Sequence, residues 1–359
     1  VDPAYQPLTQ VDAQGGQGAP LGTPLDPAGD GKAVCEPLAI GMAGALTGPN
    51  GAIGGNVIGG VRLAVEQFNR KNPDCRVEVR DLDTAGDPQT AKPLAQQIVA
   101  DSSIVALIGP LFSGETKAAG PTFDAAGLPF LSMGTQVSLS ANGWHSYFRG
   151  IANDEVQGPA LARYLTGVAG HRSVCVVMDN TDYGAGLGSS ISPAFNRQCE
   201  ATITAGADLG PVVAKIGEVG PDAVIYAGYS TEAAPLLRRL REAGITAAFA
   251  TSDGSFGPEF PGATGSEGAG AIVSCGCGPV TDQFLAQYRA LTGGTAGQES
   301  VEGYDLTAIV LRGIASGRVT RADMLEYLRG YRGDGIAHSY AWTGTGELIA
   351  PRVWVYKVR

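Results

Sequence analysis

The sequence has no run of lysine and arginine that could neutralise a phosphate backbone, and its formal net charge is −10, so nucleic acid is excluded as a partner class. Only three histidines occur, His145, His171 and His338, in unrelated contexts with no HExxH pattern, which removes the usual zinc-hydrolase reading. No uninterrupted apolar stretch is long enough to span a bilayer. None of the cysteines forms the CxxC pairs of a zinc ribbon, and no metal or cofactor is expected. No secretory leader is read at the N-terminus, and the expectation is a mature chain.

What remains is a chain of 359 residues, 44% apolar and 17% charged, ordinary for a globular protein and long enough for two cores. The acidity reads as a solvated, soluble surface. The six cysteines, Cys35, Cys75, Cys175, Cys199, Cys275 and Cys277, are even in number. Cys35 and Cys75 each adjoin a predicted strand, as do Cys175 and Cys199. Neighbouring strands could join each pair as a disulfide in an exported protein, leaving Cys275 with Cys277. Reduced, buried cysteines of a cytosolic protein are the alternative. Residues 1–34, rich in Gly, Pro, Ala, Gln and Asp without periodicity, predict a flexible tether suited to a protein held at a membrane by a lipid.

From Cys35 onward, short β-branched or apolar runs alternate with amphipathic segments, which predicts βαβ units around parallel sheets. Ile58, Val61, Val65 and Phe68 share one helical face. Asp87-Pro88 supplies an N-cap and a first-turn proline for a helix reaching about Ala100. Strands are predicted at 37–43, 76–81, 104–109 and 129–132, giving a four-stranded lobe that ends near Arg149. A second series has strands at 173–178, 201–203, 223–227, 247–250 and 271–274, with helices at 155–165, 187–195 and 232–243. Helices at 282–291, 302–316 and 321–331 follow, then a hairpin-like end from His338 to Val358 turning at Gly344 and Gly346. These helices lack strands of their own and need a sheet to cover. The fold class is therefore α/β, with two doubly wound lobes, 35–149 plus 279–337 and 150–278 plus 338–359, joined by a hinge of several strands.

Enzyme motifs fail. Gly228-Tyr229-Ser230-Thr231-Glu232 lacks the last glycine of a nucleophile elbow. Gly184-Ala185-Gly186-Leu187-Gly188 departs from a dinucleotide-binding fingerprint, since Ser189 takes the place of the final glycine. It reads instead as a helix start whose glycines admit a ligand or a neighbouring strand.

Polar residues just beyond strand ends are the stronger signal, because open α/β sheets bind ligands there. Phe112-Ser113-Gly114 and Gly134-Thr135 precede predicted helix N-termini, where free N–H groups suit a carboxylate. Asp182-Tyr183-Gly184, Gly228-Tyr229 and Ser252-Asp253-Gly254 occupy the same position in the second series. There tyrosines can cover a ligand, and Asp253 can answer an ammonium group. The competing reading makes Ser113 and Thr135 helix caps and the tyrosines packing residues.

At these residues the chain resembles the leucine/isoleucine/valine-type periplasmic binding proteins of the type I class, which deliver amino acids to ABC importers. The resemblance runs from Leu38 to Val358. It is carried by the ordered stretches from Gly41 to Pro49, Asp81 to Pro88, Gly109 to Ser113, Asp182 to Leu187 and Tyr226 to Tyr229. It implies that Ser113, Gly134 and Thr135 hold a ligand carboxylate, while Tyr183, Tyr229 and Asp253 hold the amino end from the other lobe. Where amino-acid binders of this kind often place an aromatic residue against the ligand side chain, this chain has Ile53 and Glu299. Glu299 favours a ligand with an extra cationic or hydrogen-bonding group, or else lies on the exposed lip. The implied protein is a non-enzymatic, extracellular or periplasmic monomer that closes over a small molecule and meets a membrane permease. A ligand-sensing receptor ectodomain is the alternative use of the same fold.

Overall fold

The computed structural model describes residues 4–12, 16–195 and 199–359. They fall into two compact bodies. The first takes in Ala19–Ala152 and Cys277–Pro351, and the second takes in Asn153–Gly276, Arg352–Arg359 and the described residues up to Gly18.

The first body is built on a five-stranded, all-parallel sheet in the order Val77–Asp83, Leu38–Gly44, Ile104–Ile108, Phe130–Ser132, Tyr147–Arg149. One face is covered by helices Gly51–Lys71, Asp282–Thr292, Ser300–Ala315 and Arg321–Gly330, the other by Pro88–Ala100 and Ser113–Ala125. The predicted stripe is the reason the first of these helices docks: Ile58, Val61, Val65 and Phe68 are all buried. Each such side chain contributes roughly 1.5–3 kcal/mol. Asp87 caps helix Pro88–Ala100 by accepting from Gln89 N at 3.0 Å. Strand Tyr147–Arg149 is a fifth strand that the sequence reading lacks. It is only three residues long and carries a buried charge, so no apolar run marks it.

The second body carries a seven-stranded sheet in the order Tyr5–Asp12, Arg352–Val358, Ile272–Cys275, Ala248–Thr251, Ala223–Ala227, Val174–Asp179, Glu200–Ile203. The last five run parallel, and the first two are antiparallel additions at one edge.

Three expectations are corrected. The predicted flexible tether does not hold over Tyr5–Asp12, which is a strand paired with Arg352–Val358; Tyr5 is buried and its hydroxyl donates to Gly257 O at 2.7 Å. Residues after Ala19 are also fixed, since the Asn72 amide donates to Ala28 O and accepts from Ala33 N. Main-chain pairing and a side-chain amide do this work, and neither leaves a hydrophobic period.

The predicted terminal hairpin is really two pieces. A turn does form, with Trp342 bridged to Leu348, but it belongs to the first body, because Trp342 Nε1 donates to Arg149 O at 2.8 Å and its ring packs edge-on against Phe148. The chain changes body after Pro351 rather than near His338, and Arg352–Val358 joins the other sheet.

The glycine-rich helix begins at Asp182, five residues before its predicted start. Its glycines lower helix propensity but are needed for packing against the adjacent strand: a Cβ at Gly184 would lie 2.0 Å from Asp179 Oδ1, and one at Gly188 would lie 2.7 Å from Met178 Sδ. Helix Gly210–Val219 has no counterpart in the sequence reading, since only Val213 and Ile216 of it are buried.

The cysteines pair as Cys35–Cys75 and Cys175–Cys199, Cys275 and Cys277 are also disulfide-bonded, and no cysteine among the described residues is free. No helix of the described residues is long and apolar enough to cross a membrane.

Candidate functional site

In the first body, strand Ile104–Ile108 leads through Phe112 into helix Ser113–Ala125, so Ser113 is the first residue of the helix. Its hydroxyl is buried and accepts from Gln136 N at 3.1 Å. That bond ties the helix start to the loop after strand Phe130–Ser132. The two segments touch closely: a Cβ at Gly134 would stand 3.2 Å from Ser113 Cα and 3.1 Å from Thr116 Oγ1. Gly134 N donates to Ser132 Oγ at 3.0 Å, and Ser132 Oγ also meets Thr116 Oγ1 at 2.9 Å. Thr135, 2% exposed, has its Oγ1 buried with no hydrogen-bond partner among the described residues. A buried hydroxyl of this kind is costly unless something bonds it. The expectation that Thr135 precedes a helix N-terminus able to hold an anion is corrected, because only the five-residue 3₁₀ turn Val137–Ala141 follows.

Beneath Ser113 lies Glu115, with no exposed surface, whose Oε1 accepts from Leu111 N at 2.9 Å and Phe112 N at 3.0 Å. Burial pushes its carboxyl up to about 7 against the lowering effect of hydrogen bonds from Thr84, Phe112 and Leu111. Arg149, also fully buried, reaches across to the same loop. Neither residue is among the sequence candidates. Arg149 ends the strand Tyr147–Arg149, which at three residues is too short to stand out as an apolar run.

Ile53 lies in the first turn of helix Gly51–Lys71 and is buried in the apolar core. Glu299 is the buried N-cap residue of helix Ser300–Ala315, at φ +61°, with Oε1 near Gln298 Nε2 at 3.4 Å. The exposed-lip reading of Glu299 is therefore corrected: it is 5% exposed.

In the second body, Tyr183, Tyr229 and Asp253 come together. Tyr183 lies in the first turn of helix Asp182–Ile191, capped by Thr181, whose Oγ1 accepts from Gly184 N at 3.0 Å. Tyr229 occupies the N-cap position of helix Ser230–Glu242, and the two rings stand 5.0 Å apart at 41°. Asp253 follows strand Ala248–Thr251 and is 5% exposed. Its Oδ1 receives the Tyr183 hydroxyl at 2.5 Å and Gln157 Nε2 at 2.6 Å. Tyr183 Oη also meets Ser252 Oγ at 2.7 Å and accepts from Gly254 N at 3.0 Å.

Burial raises the Asp253 carboxyl, while the Tyr183 and Gln157 bonds act to lower it. Burial, then the charge of Asp253, drives the Tyr183 phenol well above its ordinary value, so it stays a donor. The result is a buried carboxyl group beside a pair of aromatic rings, chemistry that suits an ammonium group. Gln157, from helix Asp154–Arg163, is the member of this cluster that the sequence reading lacks. It lies on no strand end, and no spacing pointed to it.

Asp179, at the end of strand Val174–Asp179, braces the cluster from behind by accepting from Thr181 N at 3.0 Å and from the backbone of Gly184 and Tyr229.

A family model described as periplasmic binding protein matches residues 37–359. The chain belongs to the periplasmic binding protein family. Among curated members, an amino acid binding protein of Pseudomonas aeruginosa is 26% identical over 339 residues, spanning 89% of this chain and 90% of that protein. A Leu/Ile/Val-binding protein of Escherichia coli K12 is 27% identical over 251 residues, covering 67% of this chain and 68% of its own length. Of solved structures, the branched-chain amino acid transporter substrate binding protein LivJ from Streptococcus pneumoniae, in complex with isoleucine, superposes with a TM-score of 0.82 at 23% identity, over 89% of this chain and 95% of that one. The leucine binding protein LivK from Thermotoga maritima gives 0.79 at 23% identity, over 90% and 95%. The α/β fold with parallel-sheet cores is thus the fold of type I periplasmic binding proteins.

Proposed function

We propose that the chain captures an amino acid, or an amino-acid-like small molecule, and delivers it to an ABC permease. The observation that carries this reading is the buried Asp253 carboxylate, bonded by Gln157 and by Tyr183, whose ring pairs with Tyr229. In a family of solute binders, such a group is suited to an α-ammonium. Ser113, Gly134 and Thr135 would take the carboxylate end, with Thr135 Oγ1 as the free donor. Relatives named for branched-chain amino acids support an aliphatic side chain. The family and the disulfides support an extracellular or periplasmic location.

A thermal-shift screen against the common L-amino acids, polyamines, amides and small aromatic acids tests the proposal. A ligand at about a hundred times its Kd adds about 2.7 kcal/mol to stability. The reading requires a zwitterionic α-amino acid or close derivative to raise Tm. A response only to polyamines or to aromatic acids would contradict it.

A further inference from the structure

Arg149 has no exposed surface, yet its guanidinium is not spent on a single ion pair. Nη1 donates to Gly134 O and Nη2 donates to Gln136 O at 3.0 Å, the carbonyls on either side of Thr135. The other edge of the fork faces Glu347, with Nη2 at 2.7 Å from Oε1 and Nε at 3.0 Å from Oε2. The backbone of Arg149 is held as firmly, for its N–H donates to Gly346 O at 2.8 Å and its carbonyl accepts from Trp342 Nε1 at 2.8 Å. The turn carrying Gly346 and Glu347 is closed by Thr343 N to Glu347 O at 2.9 Å.

Along the Gly134–Gln136 loop, the N–H groups of Gly134 and Gln136 go to Ser132 Oγ and Ser113 Oγ, and the carbonyls of the same two residues go to Arg149. Thr135 is the residue between them, and its Oγ1 is the buried hydroxyl without a partner. Fixing both flanking peptides fixes where that hydroxyl points. Only arginine supplies donors in a planar fork wide enough for two carbonyls and a carboxylate together; a lysine ammonium is a point donor on a flexible stem.

We infer that Arg149, oriented by Glu347, is a positioning residue that presets the Gly134–Gln136 loop so that Thr135 meets the ligand carboxylate without reorganisation. This rests on the proposed function for the identity of the ligand, but not for the ordering of the loop. A purely structural buried ion pair would act on the whole body instead.

The test compares the full chain with Arg149→Lys and Glu347→Gln. Amide hydrogen exchange is read without ligand, and L-isoleucine binding by calorimetry. In Arg149→Lys the Gly134 and Gln136 amides should exchange tenfold or more faster, with the amides of strand Ile104–Ile108 unchanged. L-isoleucine affinity should fall about tenfold or more, and adding Thr135→Val should cost little beyond the larger single loss. Glu347→Gln, which keeps the guanidinium, should give the same local pattern at smaller size, and it carries the test if Arg149→Lys does not fold. Unchanged exchange at the two amides, protection lost evenly across the body, or additive affinity losses would each overturn the inference. If the wild-type chain ignores L-isoleucine, the aliphatic amino-acid reading fails, while the exchange data still decide the role of Arg149.

Discussion

The Tyr183 hydroxyl lies 2.5 Å from Asp253 Oδ1, and the same oxygen takes Gln157 Nε2 at 2.6 Å. Two donors on one carboxylate oxygen favour the charged form inside a site that burial would otherwise neutralise. Tyr183→Phe keeps the ring beside Tyr229 and removes one of those donors. Affinity for the α-amino acid ligand should drop roughly tenfold, the size of one charge-assisted hydrogen bond, with a further loss as pH falls and Asp253, already raised by burial, protonates more readily. Calorimetry at two pH values reads both effects, and equal affinity at each would remove Tyr183 from the site.

Gly184 stands against Asp179 with no room for a side chain, a Cβ falling 2.0 Å from Oδ1. Gly184→Ala would raise helix propensity, yet it should destabilise the second body, because Asp179 braces both the Tyr183 helix and the Tyr229 cap. The expected result is a lower Tm together with weaker ligand binding. A gain in Tm, the outcome on an exposed helix, would contradict the packing described.

Glu115 and Asp305 give the first body a pH dependence of defined sign. Burial raises Glu115 from 4.5 to about 7 and Asp305 from 3.8 to about 7, the latter while it accepts from Ile336 N, Ala337 N and Tyr340 Oη. Each group binds its proton more tightly folded than unfolded. Stability is therefore greatest below the unfolded values, falls as pH rises toward about 7, and levels off above that. Glu115→Gln and Asp305→Asn should each flatten part of this slope in urea titrations taken from pH 3.8 to about 7, the span of those shifts. A slope unchanged in both variants would show that neither carboxyl titrates there.

Much of this architecture is legible in the residues because it rests on periodicity and caps. Strand Ala223–Ala227 begins and ends where its apolar run does, and the Asp87-Pro88 start is a local signal complete within a few residues. The strand-end rule likewise picks out Ser113, Thr135, Tyr183, Tyr229 and Asp253, since position after a strand is a one-dimensional property. What escapes is held by partners distant in sequence. Strand Tyr5–Asp12 exists through pairing with Arg352–Val358, Gln157 matters through Asp253, and Arg149 acts through Glu347. None of these contacts leaves a pattern within a window of neighbouring residues.

The account turns on Asp253 answering the amino end of the ligand. The direct measurement is calorimetry of the best-binding amino acid and its des-amino analogue against wild type and Asp253→Asn. Removing the ligand's amino group should cost the wild type well over tenfold in affinity, the scale of a desolvated charged hydrogen bond, and cost Asp253→Asn little. If both proteins lose the same factor, Asp253 does not meet the amino group and the proposed mode of binding is wrong.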